Sequence, residues 1–391
     1  MSYTKSGFIS ALRHVFSVSV VAVILTPVLG MADSVMFQSN LERTGLYDDI
    51  GPEENPELVW KFDSGSAVFS TPLVYDGTVY FVSFEGGVYA VDKEDGSVIW
   101  EKNLGGQPSF QITLNEEVLL VGLIFSDEED KSYLISLDRV TGEENWRFES
   151  DYQTGMDTPV IYGETVFLTS VSDYLFSLDL ETGDEIWRFP IQGGRGQPVI
   201  SDGTLYLQDY SQTLYAISLD LGQEKWKMLS PPTSRSAFGT PSADNCCILT
   251  IINSDAGGSF FKINKRSGEL DAEFPIKFPS LSSVSLADDV VFFGDEGEGH
   301  AGAHGYMNAM DVDSGELIWR FETEGFLRGA ASIAGDTVYF GSHDHYLYAV
   351  DRHSGEMKWR YETGAGIAST PAVVDGRVYF GSIDGHVYVL E

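Results

Sequence analysis

Tyr346-Leu-Tyr-Ala-Val-Asp-Arg-His-Ser-Gly-Glu-Met-Lys-Trp359 reads as a strand, a tight turn and the opening of a second strand. Larger residues alternate with smaller ones up to Val350, the period-two pattern of an extended chain. Asp351 then offers a carboxylate to turn amides, and Gly355 tolerates the positive φ that such a turn requires. Trp359 follows the aspartate by eight residues. The same spacing recurs at Asp92, Gly96 and Trp100, at Asp138, Gly142 and Trp146, at Asp179, Gly183 and Trp187, and at Asp311, Gly315 and Trp319. Asp92-Lys-Glu-Asp-Gly96 and Asp311-Val-Asp-Ser-Gly315 superficially suggest calcium loops. Their register with the tryptophan, and the lack of a bidentate glutamate where such a loop needs it, favour turns.

The seven tryptophans extend this reading along the chain. Trp60, Trp100, Trp146, Trp187, Trp226, Trp319 and Trp359 are separated by 40, 46, 41, 39, 93 and 40 residues. The interval of 93 is a double step with Phe274 inside it, which gives eight aromatic positions. Each is expected to dock structurally against a neighbouring unit rather than stack on a cofactor. Upstream of each turn lie paired alternating runs, such as Thr337-Val-Tyr-Phe-Gly341 with Tyr346-Leu-Tyr-Ala-Val350. A preceding run, such as Ser369-Thr-Pro-Ala-Val373, supplies an inner strand. Four strands repeated about every 43 residues predict an all-β, eight-bladed β-propeller of four-stranded antiparallel blades. Its closure is also legible. The last unit stops at Glu391 after three strands, and Leu58-Val-Trp-Lys-Phe62 lacks three strands of its own. Pairing the two completes the ring and leaves no sheet edge exposed.

The motif Leu/Tyr-x-Ala-Val/Leu-Asp-x-x-x-Gly-x-x-x-Trp resembles the PQQ-like, tryptophan-docking repeat, and the resemblance covers residues 58–391. Met36-Phe-Gln-Ser-Asn-Leu-Glu-Arg-Thr-Gly45 is similar to the lead-in of exported members. The superfamily includes quinoprotein dehydrogenases and BamB-type factors of outer-membrane protein assembly, and fold does not decide between them. Dehydrogenases of this kind hold PQQ between a tryptophan face and a disulfide of adjacent cysteines, above Ca²⁺ and a catalytic aspartate. That resemblance draws attention to Cys246 and Cys247, the two cysteines of the chain. They follow Asp244-Asn245, where sister repeats carry Asp76-Gly77 and Asp375-Gly376, so they are expected at the start of a second strand, on the face opposite the loops between blades. Every tryptophan is already used by the repeat, and the chain has little length beyond the bare propeller. Phe326-Leu-Arg-Gly329 is similar to the Leu-Arg-Gly loop with which BamB-type propellers contact their barrel-inserting partner, which implies contact roles for Leu327 and Arg328. It falls in a late blade, where the family pattern has it nearer the middle.

Composition bounds the partners. With 24 Lys and Arg against 59 Asp and Glu the net charge is −35, a surface that repels nucleic acid and anionic membranes. Lys5 and Arg13 precede an uncharged run from Val15 to Ala32, and Gly30-Met-Ala32 offers small residues for cleavage before Asp33. Residues 1–32 are therefore expected to be an export signal, 33–57 a lead-in and 58–391 the propeller, located in the periplasm or secreted. No cysteine follows Leu29-Gly30, so a lipid anchor is not expected, nor an integral span once the signal is removed. Two adjacent cysteines cannot staple a fold of this size, so stability must come from packing. A monomer is expected.

Loops between blades and turns between second and third strands emerge on one face of a propeller, and this face carries the insertions at 125–131, 253–258 and 295–304. Five histidines, His300, His304, His343, His345 and His386, fall on such turns in three consecutive blades. His300, His304, His343 and His345, with Asp295, Glu298 or Asp344, are candidate transition-metal ligands. Arg195, Arg235 and Arg328 lie on loops between blades and would form a cationic spot suited to a carboxylate or an acidic partner segment. The chain has no HExxH, GxSxG, P-loop or dinucleotide motif. The reading is an exported, non-catalytic scaffold that binds a protein partner through this face, in envelope or outer-membrane protein assembly, without a cofactor. The alternatives are a PQQ- and Ca²⁺-dependent quinoprotein dehydrogenase and a metal- or glycan-binding surface protein.

Overall fold

The structure is a computed structural model and describes residues 35–126, 131–150, 156, 158–170, 173–194, 197–229, 239–254, 257–297 and 304–391. Among these residues the strands form eight antiparallel blades of four. Blade 1 is Leu73–Tyr75, Thr78–Val82, Gly87–Asp92 and Val98–Asn103, and blades 2 to 7 repeat this order within residues 106–149, 160–190, 199–228, 242–276, 285–323 and 332–362. In blade 8 Ala372–Val374, Arg377–Gly381 and His386–Leu390 are joined by Leu58–Asp63 as outer strand. Trp60 pairs with Val389 and Phe62 with Val387, as the split repeat predicts. Backbone bonds of 2.9 and 3.0 Å between Glu57 and Glu391 extend the seam by one step.

The core lies between blades because second and third strands are buried on both faces. Thr78–Val82 and Thr204–Gln208 are buried throughout. Outer strands alternate exposed and half-buried residues, and their tryptophans bridge to the next blade. The indole N–H of Trp100 donates to the carbonyl of Arg139 at 3.0 Å, that of Trp146 to Leu180 at 3.0 Å and that of Trp319 to Arg352 at 2.8 Å. Each acceptor follows the first residue of the next turn. The turn glycine lies under the same indole. A Cβ on Gly142, at φ +72°, would stand 2.7 Å from the Trp100 ring. The aspartates do what turn chemistry asks. Oδ1 of Asp138 accepts the Thr141 amide at 2.7 Å, and Oδ1 of Asp351 accepts that of Ser354 at 2.8 Å.

One docking position is shifted relative to the sequence reading. The residue in tryptophan register in blade 5 is Ala272, opposite Lys262, and Phe274 stands two residues farther along, opposite Phe260. With only a methyl group at 272, the Phe274 ring reaches over and packs against Gly315 of the next turn. It has no N–H to donate, so this junction rests on packing alone.

The lead-in does more than precede the ring. Its backbone carbonyls accept the amides of successive inner strands: Leu114 to Val35 at 3.1 Å, Ile200 to Leu41 at 3.0 Å, Ala243 to Glu42 at 2.9 Å, Leu286 to Thr44 at 2.7 Å and Ile333 to Gly45 at 2.8 Å. Leu46–Tyr47 then pairs in parallel with Ser332–Ala334. These contacts lie near the ends of the inner strands, next to the first-to-second-strand turns, so the segment winds across and plugs that end of the central channel. Farther on, the Pro52 carbonyl accepts both the Trp359 indole at 2.8 Å and the Tyr339 hydroxyl at 3.0 Å. Pro52 thereby stands in for the turn carbonyl that the split blade lacks.

Candidate functional site

Above the plug the channel opens into a funnel of about 520 Å³ on the face of the inter-blade loops. Phe37 of the lead-in is its floor, and lining residues come from the same register in successive blades: Gln111, Thr158, Gln197, Thr240, Ser283 and Thr370. They form a belt. The amide of Thr71 donates to Oε1 of Gln111 at 2.9 Å, that of Thr240 to Oγ of Ser283 at 2.9 Å and that of Ala330 to Oγ1 of Thr370 at 2.9 Å. Inner strands leave these amides without a ladder partner, and the neighbouring blade's side chain satisfies them. The signal was available in the repeated Thr/Gln-Pro steps at Thr71, Thr158, Gln197, Thr240 and Thr370.

One wall is aromatic. Phe69 packs edge-on against Phe84 at 5.7 Å and against Phe110 at 5.5 Å. Phe84 and Phe110 each remain 43% exposed. Arg328 is on another part of the lining, exposed at the rim, with its guanidinium carbon 4.9 Å from the Phe326 ring. Phe326 in turn stacks on His343 at 3.8 Å. The loop is held by Leu327, whose side chain is 0% exposed and packs against Gly294, and by a bond of 3.1 Å from Ser282 Oγ to the Gly329 carbonyl. The expected contact role of Leu327 is thus replaced by a core role, in which it wedges the loop that presents Arg328. No ion pair joins Arg328 to a carboxylate among the described residues.

The other sequence candidates separate. Arg195, Arg235, His300 and Glu298 lie outside the described residues, as do residues 1–32, where an export signal was expected. His304 pairs with Glu322 at 3.4 Å, His345 is an exposed turn residue with φ +78°, and His343 is half-buried with Nε2 unpartnered. Burial, with Arg328 nearby, lowers the His343 pKa to about 4 and keeps the ring neutral. Asp295 is buried and accepts from Asn308 at 3.0 Å and from the Gly297 amide at 3.0 Å, and burial raises its pKa. Among the described residues, the one cluster of three potential metal ligands is Asp244, Cys246 and Cys247, so the described histidines do not converge on a shared ion.

Cys246 and Cys247 are joined as a disulfide, in the turn into Cys247–Ser254, at the end of the channel away from the funnel. The described funnel lining contains no cysteine, tryptophan or carboxylate. The residue set that resemblance assigns to PQQ and Ca²⁺ does not fit this funnel. Among the described residues no helix is long and apolar enough to cross a membrane.

Comparison with known proteins agrees with this architecture. Residues 53–130, 130–293 and 303–391 match the family described as outer membrane protein assembly factor BamB. A stretch of 126 residues is 30% identical to that factor from Kangiella koreensis, covering 31% of this chain and 29% of the relative, so less than a third of the relative's length is matched. Europium-containing methanol dehydrogenase superposes with TM-score 0.76 at 13% identity, over 92% of this chain and 98% of that one. BamB from Moraxella catarrhalis superposes with TM-score 0.71 at 19% identity, over 86% and 100%. At such identities the two structures speak for the fold alone. The family match spans most of the propeller, and the chain belongs to the outer membrane protein assembly factor BamB family of PQQ-like repeat propellers.

Proposed function

We propose that this chain is an exported, non-catalytic scaffold that docks a protein partner on its funnel face, in the assembly of outer-membrane proteins. The observation that carries the reading is Arg328. On a chain of net charge −35 it is an exposed guanidinium without a carboxylate partner among the described residues, held on a tied-down loop at the funnel rim. Such a group is preorganised to meet an acidic segment and loses little freedom in doing so. Family membership favours an assembly partner over a small substrate. Arg328→Glu is expected to abolish capture of the partner from envelope extracts at unchanged thermal stability. Unchanged capture would remove this face from consideration.

The Cys246–Cys247 disulfide is the one observation that favours a quinoprotein dehydrogenase. Its distance from the funnel and the lining described above weigh against that reading. Incubation with PQQ and Ca²⁺ followed by a dye-reduction assay separates the two, and turnover would overturn the scaffold reading.

A further inference from the structure

We propose that the Cys246–Cys247 turn is a redox-gated binding site for a thiophilic divalent cation such as Zn²⁺, closed as a disulfide and opened when a dithiol reduces it. The site lies at the end of the channel away from the funnel, so the inference stands independently of the docking reading.

This turn departs from its counterparts. In four blades the turn between first and second strands carries an aspartate that pairs with a cation of the following blade. Asp76 meets Arg139 at 3.9 Å, Asp202 meets Lys265 at 2.8 Å, Asp375 meets Lys93 at 2.6 Å, and Asp288 meets Arg352. Blade 5 has Asn245-Cys246 in that turn, and Val312 takes the cation's place in blade 6. Among the described residues no such ion pair covers the turn. Cys246 is exposed to solvent and Cys247 is buried behind it.

Around the pair stand the donors of a metal site. One carboxylate oxygen of Asp244 and the two sulfurs lie within 4.8 Å of one another. Oδ2 of Asp271, on the outer strand of the same blade, is 3.6 Å from the Cys247 sulfur. Oδ1 of Asp244 accepts the amides of Cys246 at 2.7 Å and of Cys247 at 2.6 Å, which fixes the backbone from which both sulfurs project. Two sulfurs with two carboxylates suit a d¹⁰ cation in tetrahedral coordination. The two lysines beside the site are already engaged: Lys262 pairs with Asp313, and Lys265 with Asp202.

Oxidation state decides whether those donors can act. A thiolate is the metal-binding form of cysteine, and a disulfide offers none. A dithiol reductant gives two electrons and two protons to the disulfide, leaving two thiols here and a disulfide in the reductant. A divalent cation then displaces both thiol protons to solvent and binds two thiolates. Bonds of about 2.3 Å at a tetrahedral angle place the sulfurs about 3.8 Å apart. Rotation about the Cα–Cβ bonds provides that separation once the S–S bond is broken. The disulfide links adjacent residues, so opening it removes little stability and leaves the blade folded.

The test uses Cd²⁺ as the probe, because thiolate ligation gives it an ultraviolet charge-transfer band. The full chain is reduced with a phosphine, desalted without oxygen and titrated. The reduced chain is expected to bind a single Cd²⁺ with that band, to release about two protons per ion, and to show competition by Zn²⁺. The oxidised chain should show neither band nor proton release. Cys246→Ser, at an exposed position, should abolish the band, and so should alkylation of the reduced wild-type chain. Asp244→Asn keeps the oxygen that accepts the two amides, and Asp271→Asn is exposed. Each should weaken binding about tenfold at unchanged melting temperature. No band from the reduced chain, equal affinity of reduced and oxidised chains, or an undiminished band from Cys246→Ser would each overturn the proposal. Affinity unchanged in both aspartate variants would overturn it too, since the site would then be a bare dithiol.

Discussion

At the scale of single residues the tryptophan junction is the unit of stability. Trp100→Ala removes a ring wedged between two blades and should cost about 3–5 kcal/mol in chemical denaturation. Trp100→Phe keeps much of the packing and loses the bond to Arg139, a difference of about 1 kcal/mol. Gly142→Ala should also destabilise, because its φ is +72° and its Cβ would strike the Trp100 ring. His343 sets a pH dependence. Its folded pKa of about 4 lies below the ordinary value of 6.5, so between these limits the unfolded chain binds the extra proton. The contribution of the neutral ring is complete above pH 6.5 and declines as pH falls toward 4. Melting temperatures measured across that window should therefore fall with pH, and His343→Phe should flatten that part of the profile. These roles were unevenly legible. Spacing alone placed the docking tryptophans, but in blade 5 the position eight residues after Asn264 is Ala272, and no spacing rule reveals that Phe274, two residues farther along, is the ring that reaches the next glycine. Leu327 shows the same limit, since its sequence context does not tell whether a loop leucine points at solvent or at Gly294.

At the scale of elements, the disulfide and the lead-in make opposite predictions. Cys246 and Cys247 close a loop of adjacent residues, and chain-entropy arguments give such a loop only about 1 kcal/mol. Reduction with dithiothreitol should shift the thermal transition by a few degrees at most, measured by circular dichroism. The lead-in, by contrast, binds inner strands of five blades through backbone bonds and supplies the acceptor for Trp359. Deleting residues 35–52 should lower the transition far more than reduction does, and should expose the channel to proteolysis. Nothing in the composition of 33–57 announced this role. Its hydrogen bonds are made by backbone groups, which carry no sequence signature, and its few apolar side chains follow neither the period of a strand nor that of a helix.

At the scale of the whole molecule the ring and its closure were readable because both rest on a periodic pattern, whereas the funnel was not. Phe69, Phe84 and Phe110 meet where blade 1 adjoins blade 2, and no repeated spacing links them to one another or to Phe37 of the lead-in. The seam has a further consequence in time. A polypeptide is made from its amino end, so Leu58–Asp63 is among the first strands to appear, and its partner His386–Leu390 is the last. Until His386–Leu390 has been made, the early strand is an open edge without its partner, and the ring around the channel is not closed. A chain truncated before residue 386 keeps that edge open and should aggregate more readily than the full chain, as measured by light scattering. The first strand therefore stays an uncovered edge until the last one arrives to pair with it.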